Sequence, residues 1–185
     1  MQFHPVGKRI LKEKPLLNNQ VLVDWKNLKL EQGVEEGDLR GKFGYELLKF
    51  LEEKNISLDD RRAVKFSSVQ DPEPEQDLAY VLTRYRQVHD ILHLLLNQKT
   101  NFKGEANIKT FESIHTRGLP MAVFGGTVAP IVKIKGAEGK IKYVKDDFPK
   151  VLNSALLASN IYNIYYEERF DQDLEDLKKE LNISL

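Results

Sequence analysis

Three side chains whose spacing suits a metal ion are the most informative chemical feature of the sequence. His89 and His93 are four residues apart, so on a helix they share one face about one turn apart. Glu105 follows His93 after eleven residues. If two helices form an antiparallel hairpin across residues 97–101, Glu105 returns to the level of the histidine pair. Two imidazoles and one carboxylate suit zinc with an open position, or non-haem iron.

Asp90 stands beside this set, about 100° around the helix from His89 and three residues before His93. It either completes the ligand set or orients a ligand imidazole through a hydrogen bond. A histidine pair on an apolar helix is also compatible with simple packing. A buried pair with a neighbouring aspartate needs partners, however, and a cation supplies one.

Arg84 and Arg86 precede the first histidine by about one turn. Each could bind a carboxylate or phosphate through two parallel hydrogen bonds. The alternative is surface exposure or a salt bridge to Glu105, Glu112 or Glu167.

Composition narrows the function classes. The 185 residues suffice for one core, and 28 basic against 28 acidic residues give a net charge of +0, which argues against nucleic-acid binding. Without cysteine there can be no disulfide, thiol catalysis or Cys-ligated metal. No stretch approaches the ~20 apolar residues of a membrane span. A mean hydropathy of −0.45 fits a soluble or peripheral protein.

The apolar periodicity predicts an all-α single domain over residues 1–185. We expect helices over 8–13, 43–54, 77–97 and 102–116, then one long helix or two between 148 and 181. An acidic, proline-broken loop is expected at Asp71–Gln76, before the helix that carries the histidines.

Residues 121–145 are harder to assign. Met121–Val132 is apolar and contains glycine and proline, so a broken helix, a loop and a strand are all compatible with it. Alternating apolar and lysine residues further on suit a small hairpin near 132–144. The five lysines of residues 133–145 suit a solvated loop, or contact with anionic headgroups beside a membrane.

Several segments of the chain together resemble the ubiquinone (coenzyme Q) biosynthesis Coq family numbered four. They are residues 80–93, 100–112, 118–121, 163–167 and 174–183. The hallmark of that family is His-Asp-x-x-His, eleven residues, then Glu, and this chain reproduces the spacing. Gln87 and residues 97–99 and 133–145 depart from the family pattern. Family members commonly carry a further helical segment before the part matched here, so Met1 would mark a truncation, an alternative start or a short member.

The resemblance implies a protein at the membrane face that works on polyprenylated aromatic quinone precursors. The implied reaction removes the ring carboxyl at C1 of a 4-hydroxy-polyprenylbenzoate, coupled to hydroxylation there, in a carbon–carbon lyase of the 4-hydroxy-3-methoxy-5-polyprenylbenzoate decarboxylase type. In this scheme the metal is Zn²⁺, or alternatively Fe²⁺, on His89, Asp90, His93 and Glu105. Asp90 would act as acid or base, and Arg84 or Arg86 would hold the departing carboxylate.

The family also implies partners and a location. The other ubiquinone-biosynthesis enzymes would be organised into a complex, and a homo-oligomer is expected. The location would be the matrix face of the mitochondrial inner membrane in a eukaryote, or the cytoplasmic membrane face in a bacterium. The alternative function is a non-catalytic, prenyl-lipid-binding scaffold with a structural metal. A His-Asp phosphohydrolase is poorly supported, because His4 and His115 lack the further spacing it needs.

Overall fold

The computed structural model describes residues 4–59 and 72–185, except for the side chains of residues 72–75. Within these ranges the chain forms helices and no β-strand, so the predicted all-α fold class is confirmed. The α-helices are α1 (Pro5–Glu13), α2 (Asn19–Glu31), α3 (Phe43–Lys54), α4 (Pro72–Leu95), α5 (Phe102–His115), α6 (Pro120–Gly126), α7 (Val128–Lys133), α8 (Ala137–Lys142), α9 (Phe148–Leu157) and α10 (Leu174–Glu180). None of these described helices has the length and apolar character required to cross a membrane.

Local signals explain the helices that were predicted well. Helix α3 has the predicted bounds and ends where Asn55 adopts the left-handed conformation, with φ 51°. Helix α5 begins after Asn101, whose side chain accepts a hydrogen bond from the backbone N–H of Gly104 at 2.9 Å. Asparagine is a favoured N-cap, because its oxygen satisfies an amide that the helix leaves unpaired.

The loop predicted at Asp71–Gln76 is wrong over the residues that the structure describes. Helix α4 begins at Pro72, five residues before the predicted start, while Asp71 lies outside the described residues. Proline is compatible with the first turn of a helix, because the amides there have no helical partner.

The small hairpin considered near 132–144 is also wrong, because this part of the chain forms α7 and α8. The amide of Ile134 donates to Pro130 O at 2.9 Å, and that of Lys140 donates to Gly136 O at 3.3 Å. Gly136 provides the turn between the two helices with φ 77°. The apolar residues at 128, 131 and 132 therefore follow helical rather than strand periodicity.

The C-terminal helical region divides into two helices, the second of the two predicted alternatives. Helix α9 ends at Leu157, and α10 begins at Leu174, where the Asp173 carboxylate accepts from the amides of Glu175 and Asp176 at 3.0 and 3.3 Å. Short 3₁₀ turns at Ile161–Asn163 and Tyr166–Glu168 lie between them.

Two compact units can be distinguished in the chain. The single domain expected over residues 1–185 therefore stays a prediction. The first unit contains Met1–Asp90 and Tyr162–Leu177. Its core includes Phe43, whose ring centroid lies 5.8 Å from that of Tyr166 and 6.2 Å from that of Phe170. The first amides of α3 have no side-chain cap. Instead, Phe43 N–H donates to Gln172 O at 2.8 Å, and Gly44 N–H donates to Phe170 O at 3.0 Å.

The second unit contains Ile91–Ile161 and Lys178–Leu185, and α5 is its central helix. Helices α6, α7 and α9 all pack against α5. The contact with α6 is close, because the Thr110 hydroxyl donates to Gly126 O at 3.1 Å. Tyr143 donates to the same carbonyl at 2.9 Å. Hydrogen bonds from the buried Thr110 and Tyr143 side chains therefore hold Gly126, at the end of α6, in place.

Candidate metal centre

The candidate site is built locally, on the last turns of α4 and the first turn of α5. His89 and His93 lie one turn apart on α4, and Glu105 lies in the first turn of α5. The short connection reverses the chain, with Asn97 in the left-handed conformation at φ 49°. The predicted helical hairpin therefore forms, and it brings Glu105 back beside the histidines.

The three predicted ligands come together in space. One ligand atom each from His89, His93 and Glu105 lies within 4.8 Å of the other two. His93 Nε2 and Glu105 Oε1 are 3.2 Å apart. Both histidines are buried, whereas 41% of the Glu105 side chain is exposed, so the group is open to solvent on the glutamate side.

The turn also fixes the orientation of the His93 ring. His93 Nδ1 lies 3.1 Å from the backbone carbonyl of Gln98. Because a carbonyl can only accept, Nδ1 must carry the hydrogen, and in the neutral ring Nε2 is left with its lone pair. The Gln98 side chain in turn accepts from Asn107 Nδ2 at 2.8 Å, which ties the turn to α5.

This arrangement fits a bound cation. The Nε2 lone pair of His93 and the Glu105 carboxylate are both acceptors 3.2 Å apart, so a metal ion held between them would satisfy both. Two ligands at zinc–ligand distances of about 2.0–2.1 Å around a tetrahedral ion lie about 3.3 Å apart. The residues present therefore suit a two-histidine, one-carboxylate metal site.

Among the described residues, the group of possible ligand atoms does not include Asp90. The Asp90 side chain is nevertheless buried, at 4% exposure, and follows His89 directly in the sequence. Of the two roles considered for it, ligand or neighbour, the geometry favours the neighbour. Its part in the chemistry stays a prediction.

Arg84 binds a carboxylate, but that carboxylate is its own Glu167. The fully buried guanidinium donates to Glu167 at 2.7 and 3.2 Å and to Ile164 O at 2.9 Å. Burial alone would lower the pKa of Arg84, but the hydrogen bonds and charge of Glu167 outweigh it and raise that pKa. Both terminal nitrogens are occupied, so the salt-bridge alternative describes Arg84, and the expectation that it holds a substrate carboxylate loses its basis.

Arg86 differs from Arg84 in burial and in helical position. It is half-buried and makes contacts of its own. Arg86 precedes His89 by three residues and His93 by seven, so it shares their helical face. Arg84 precedes His93 by nine residues, which places it on the opposite side of the helix.

Sequence reasoning anticipated that His89, His93 and Glu105 lie together, but it missed the groups that orient His93. Spacing and a predicted hairpin were enough for His89, His93 and Glu105. No motif could indicate Gln98, because the atom that contacts His93 belongs to the backbone. Asn107 carried only a weak signal, as a polar residue on the buried side of α5.

Comparison with known proteins identifies the family of this chain. The model of the family "Coenzyme Q (ubiquinone) biosynthesis protein Coq4" matches residues 1–185. The chain is 37% identical over 179 residues to "Ubiquinone biosynthesis protein COQ4 homolog, mitochondrial" of Anopheles gambiae, covering 97% of this chain and 57% of that protein. It is 36% identical over 184 residues to the protein of the same name in Homo sapiens, covering 100% of this chain and 63% of that protein. The chain thus spans about three fifths of the length of these relatives.

A solved structure shares the fold. The crystal structure of a proposed ubiquinone biosynthesis protein from Nostoc punctiforme matches with a TM-score of 0.65 and 16% identity, covering 100% of this chain and 78% of that one. Identity at this level bears on the fold alone. The family match and the two relatives confirm the resemblance inferred from the sequence motif. The chain belongs to the Coq4 family of coenzyme Q (ubiquinone) biosynthesis proteins.

Proposed function

We propose that this chain acts in ubiquinone biosynthesis as a metal-dependent lyase that removes the C1 carboxyl of a 4-hydroxy-polyprenylbenzoate, coupled to hydroxylation at the same carbon. The observation that carries the proposal is the convergence of His89, His93 and Glu105 within 4.8 Å. Family membership supports the pathway and so the substrate class.

His89, His93 and Glu105 would hold the ion, Zn²⁺ or Fe²⁺. The bound metal would supply Lewis acidity toward the ring carboxylate and, if it is iron, redox chemistry with O₂. The partly exposed Glu105 leaves one side of the group accessible to a substrate.

Arg86 is the better placed of the two arginines to bind the substrate carboxylate. It shares a helical face with both histidines, and a guanidinium can bind a carboxylate through two hydrogen bonds. Arg84 acts instead as a structural residue, since its buried guanidinium is bound to Glu167.

Asp90 is the acid or base in this scheme, because Glu105 is committed to the ion. Hydroxylation at C1 of the phenolate gives a dienone, because the para oxygen donates an electron pair to the ring and becomes a ketone. When CO₂ leaves, the electrons of the broken bond restore the aromatic ring. Asp90 would carry the proton that the phenol loses and regains. The hydroxylation consumes O₂: one oxygen atom goes to C1, and the other leaves as water with two protons and two electrons from an external two-electron donor.

The polyprenyl tail of such a substrate implies work at a membrane surface. We therefore propose a peripheral location, at the matrix face of the inner mitochondrial membrane if the source is a eukaryote. The mitochondrial relatives support that location. Docking to other ubiquinone-biosynthesis enzymes and homo-oligomer formation belong to the same proposal.

Elemental analysis of the purified protein tests the metal. We expect one zinc or iron per chain, lost from His89→Ala and Glu105→Ala variants whose circular dichroism remains native. Glu138→Ala, at an exposed site in α8, is the matched control and should retain the metal. A protein that takes up no metal even after reconstitution would overturn the assignment.

The alternative is a non-catalytic scaffold that binds the prenyl lipid, with the metal joining α4 to α5. The observation in its favour is that the three ligands link these two helices directly. Turnover of the polyprenylated substrate with O₂ separates the two functions. The lyase proposal requires that folded, metal-loaded Asp90→Asn lose product formation, whereas equal product formation by that variant would leave only the scaffold.

A further inference from the structure

One continuous part of the second unit, residues 121–157, exposes an unusual amount of apolar surface. Of the sixteen large hydrophobic side chains exposed among the described residues, ten lie here. They are Met121, Val123, Phe124, Val128, Ile131, Val132, Ile141, Val144, Leu156 and Leu157. We call residues 121–157 the apolar segment. Exposed apolar surface concentrated in this way marks an interaction site in a stable protein.

Helices α6 and α9 bury mostly small side chains and expose larger ones. Helix α6 buries Ala122 and Gly126 but leaves 63% of Met121 and 59% of Phe124 exposed. Helix α9 buries Val151 beside the small Ser154 and Ala155, while the larger Leu156 and Leu157 are exposed. This reverses the usual order, in which large apolar residues fill the core.

Close packing beneath the apolar segment keeps it in this orientation. A Cβ added at Gly126 would lie 2.6 Å from the amide nitrogen of Thr110, so α6 rests directly on α5. Tyr143 is buried and bonded to the Gly126 carbonyl, and Lys103 forms a 2.8 Å salt bridge with Asp147. Since the inner side is filled, the exposed side chains have no space to turn inward.

Lysines are interleaved with these apolar residues. Between residues 133 and 150 the chain carries six lysines against three acids, and one of the acids, Asp147, is already paired. Within the described ranges, Lys135, Lys142 and Lys145 are exposed and form no ion pair. In the first unit, by contrast, Lys14 and Lys26 are neutralised by Asp77 and Glu36.

The combination of exposed apolar residues and lysines favours a membrane over a protein as the partner of this surface. Lysine is depleted in protein–protein interfaces, whereas helices that lie on membranes combine large apolar residues with lysine. A lysine stem can run along apolar surface while its ammonium reaches a lipid phosphate. We propose that the apolar segment is the surface by which this protein lies on an anionic membrane, with its large side chains at the boundary between headgroups and acyl chains. This proposal rests on the proposed function in one respect: a substrate with a polyprenyl tail requires the protein to work at a membrane.

Vesicle co-sedimentation of the full chain tests this surface, using phosphatidylcholine alone and an equal mixture of phosphatidylcholine and phosphatidylglycerol. We expect binding to the mixture that weakens with added salt. Exchanging Lys135, Lys142 and Lys145 for Glu should lower the partition coefficient on the mixture by at least roughly 100-fold, because each lysine near an anionic surface contributes about a factor of five. The matched control reverses Lys8, Lys12 and Lys54, which are exposed in the first unit, and should bind as the unaltered protein does.

A second variant tests the apolar contribution. Phe124→Ser, Val132→Ser and Leu157→Ser together should abolish binding to both vesicle types, while Leu16→Ser, Leu28→Ser and Leu30→Ser should not. Unchanged binding of either apolar-segment variant would overturn the proposal. The proposal would also be overturned if the unaltered protein were an oligomer, and the serine variant were monomeric but bound vesicles equally well. The surface would then join two copies of the chain.

The assay contains neither substrate nor metal. Failure of this proposal and of the lyase proposal can therefore be told apart: metal-free Glu105→Ala should still bind the vesicles.

Discussion

The Nδ1 atom of His93 lies 3.1 Å from the backbone carbonyl of Gln98, at the opposite end of the turn that joins α4 to α5. This contact sets which ring nitrogen faces the candidate site. The position of the carbonyl depends on the Gln98 side chain, which is held by Asn107. The turn therefore orients His93, although it contributes no atom to the candidate site.

Weakening this turn should lower metal affinity. In Gln98→Ala the carbonyl remains, but its link to Asn107 is lost, so we expect about 10-fold weaker binding in competition with a zinc chelator. Long-range proton–nitrogen NMR of His93 should show loss of the single tautomer. The control is Gln87→Ala, a half-buried glutamine of α4 outside this network. Equal affinity of Gln98→Ala and the unaltered protein would contradict the orienting role.

Gly104 should not tolerate a side chain. A Cβ there would lie 1.8 Å from the carbonyl oxygen of Lys99, so Gly104→Ala must displace the turn. We expect a loss of about 3 kcal/mol in the free energy of unfolding, measured with urea, from the resulting overpacking.

Gly37→Ala is the matched control for Gly104→Ala, because an added Cβ at Gly37 meets no atom within 4 Å. Its unfolding free energy should stay within about 0.5 kcal/mol of the starting value. If both alanine variants unfold alike, the close contact at Lys99 has no energetic weight.

The buried pair of Arg84 and Glu167 should matter for stability. Arg84→Ala leaves a buried carboxylate without its partner, and such a loss costs about 3–5 kcal/mol. Replacing both members, with Arg84→Met and Glu167→Gln, should recover part of that loss in a double-mutant cycle. Additive effects of the two single changes would show that the pair is not coupled.

His115 should make stability depend on pH. Burial lowers the pKa of His115 from 6.5 to about 4, and a hydrogen bond with Ala155 only partly opposes this shift. Between these values the unfolded chain binds a proton that the folded chain does not, so stability falls as pH falls. Over this range the unfolding free energy should decrease by about 2.5 kcal/mol more in the unaltered protein than in His115→Gln. Parallel pH profiles of the two proteins would contradict the lowered pKa.

Sequence reasoning succeeded where local signals agree. Helix α3 and helix α5 combine clear apolar periodicity with recognisable ends at Asn55 and Asn101, and both were predicted to within a residue. The His89, His93 and Glu105 group followed from spacing along these elements, because a short turn leaves a helical hairpin little freedom.

Other features depend on contacts distant in sequence. Residues 132–144 alternate in a way that suits a strand, yet the contact of Tyr143 with Gly126 belongs to a helical arrangement. The choice of Glu167 as the partner of Arg84, among three glutamates considered, is decided by packing across 83 residues. Neither has a signature within a short window of sequence.

The backbone cap on α3 has a consequence for synthesis. The amides of Phe43 and Gly44 are satisfied by carbonyls of Gln172 and Phe170, which the ribosome adds more than a hundred residues later. Helix α3 therefore emerges well before its cap exists, with an apolar face whose aromatic neighbours are also missing. Completion of the first unit must wait until Tyr162–Leu177 has been synthesised, so we expect the nascent chain to depend on holding chaperones until then.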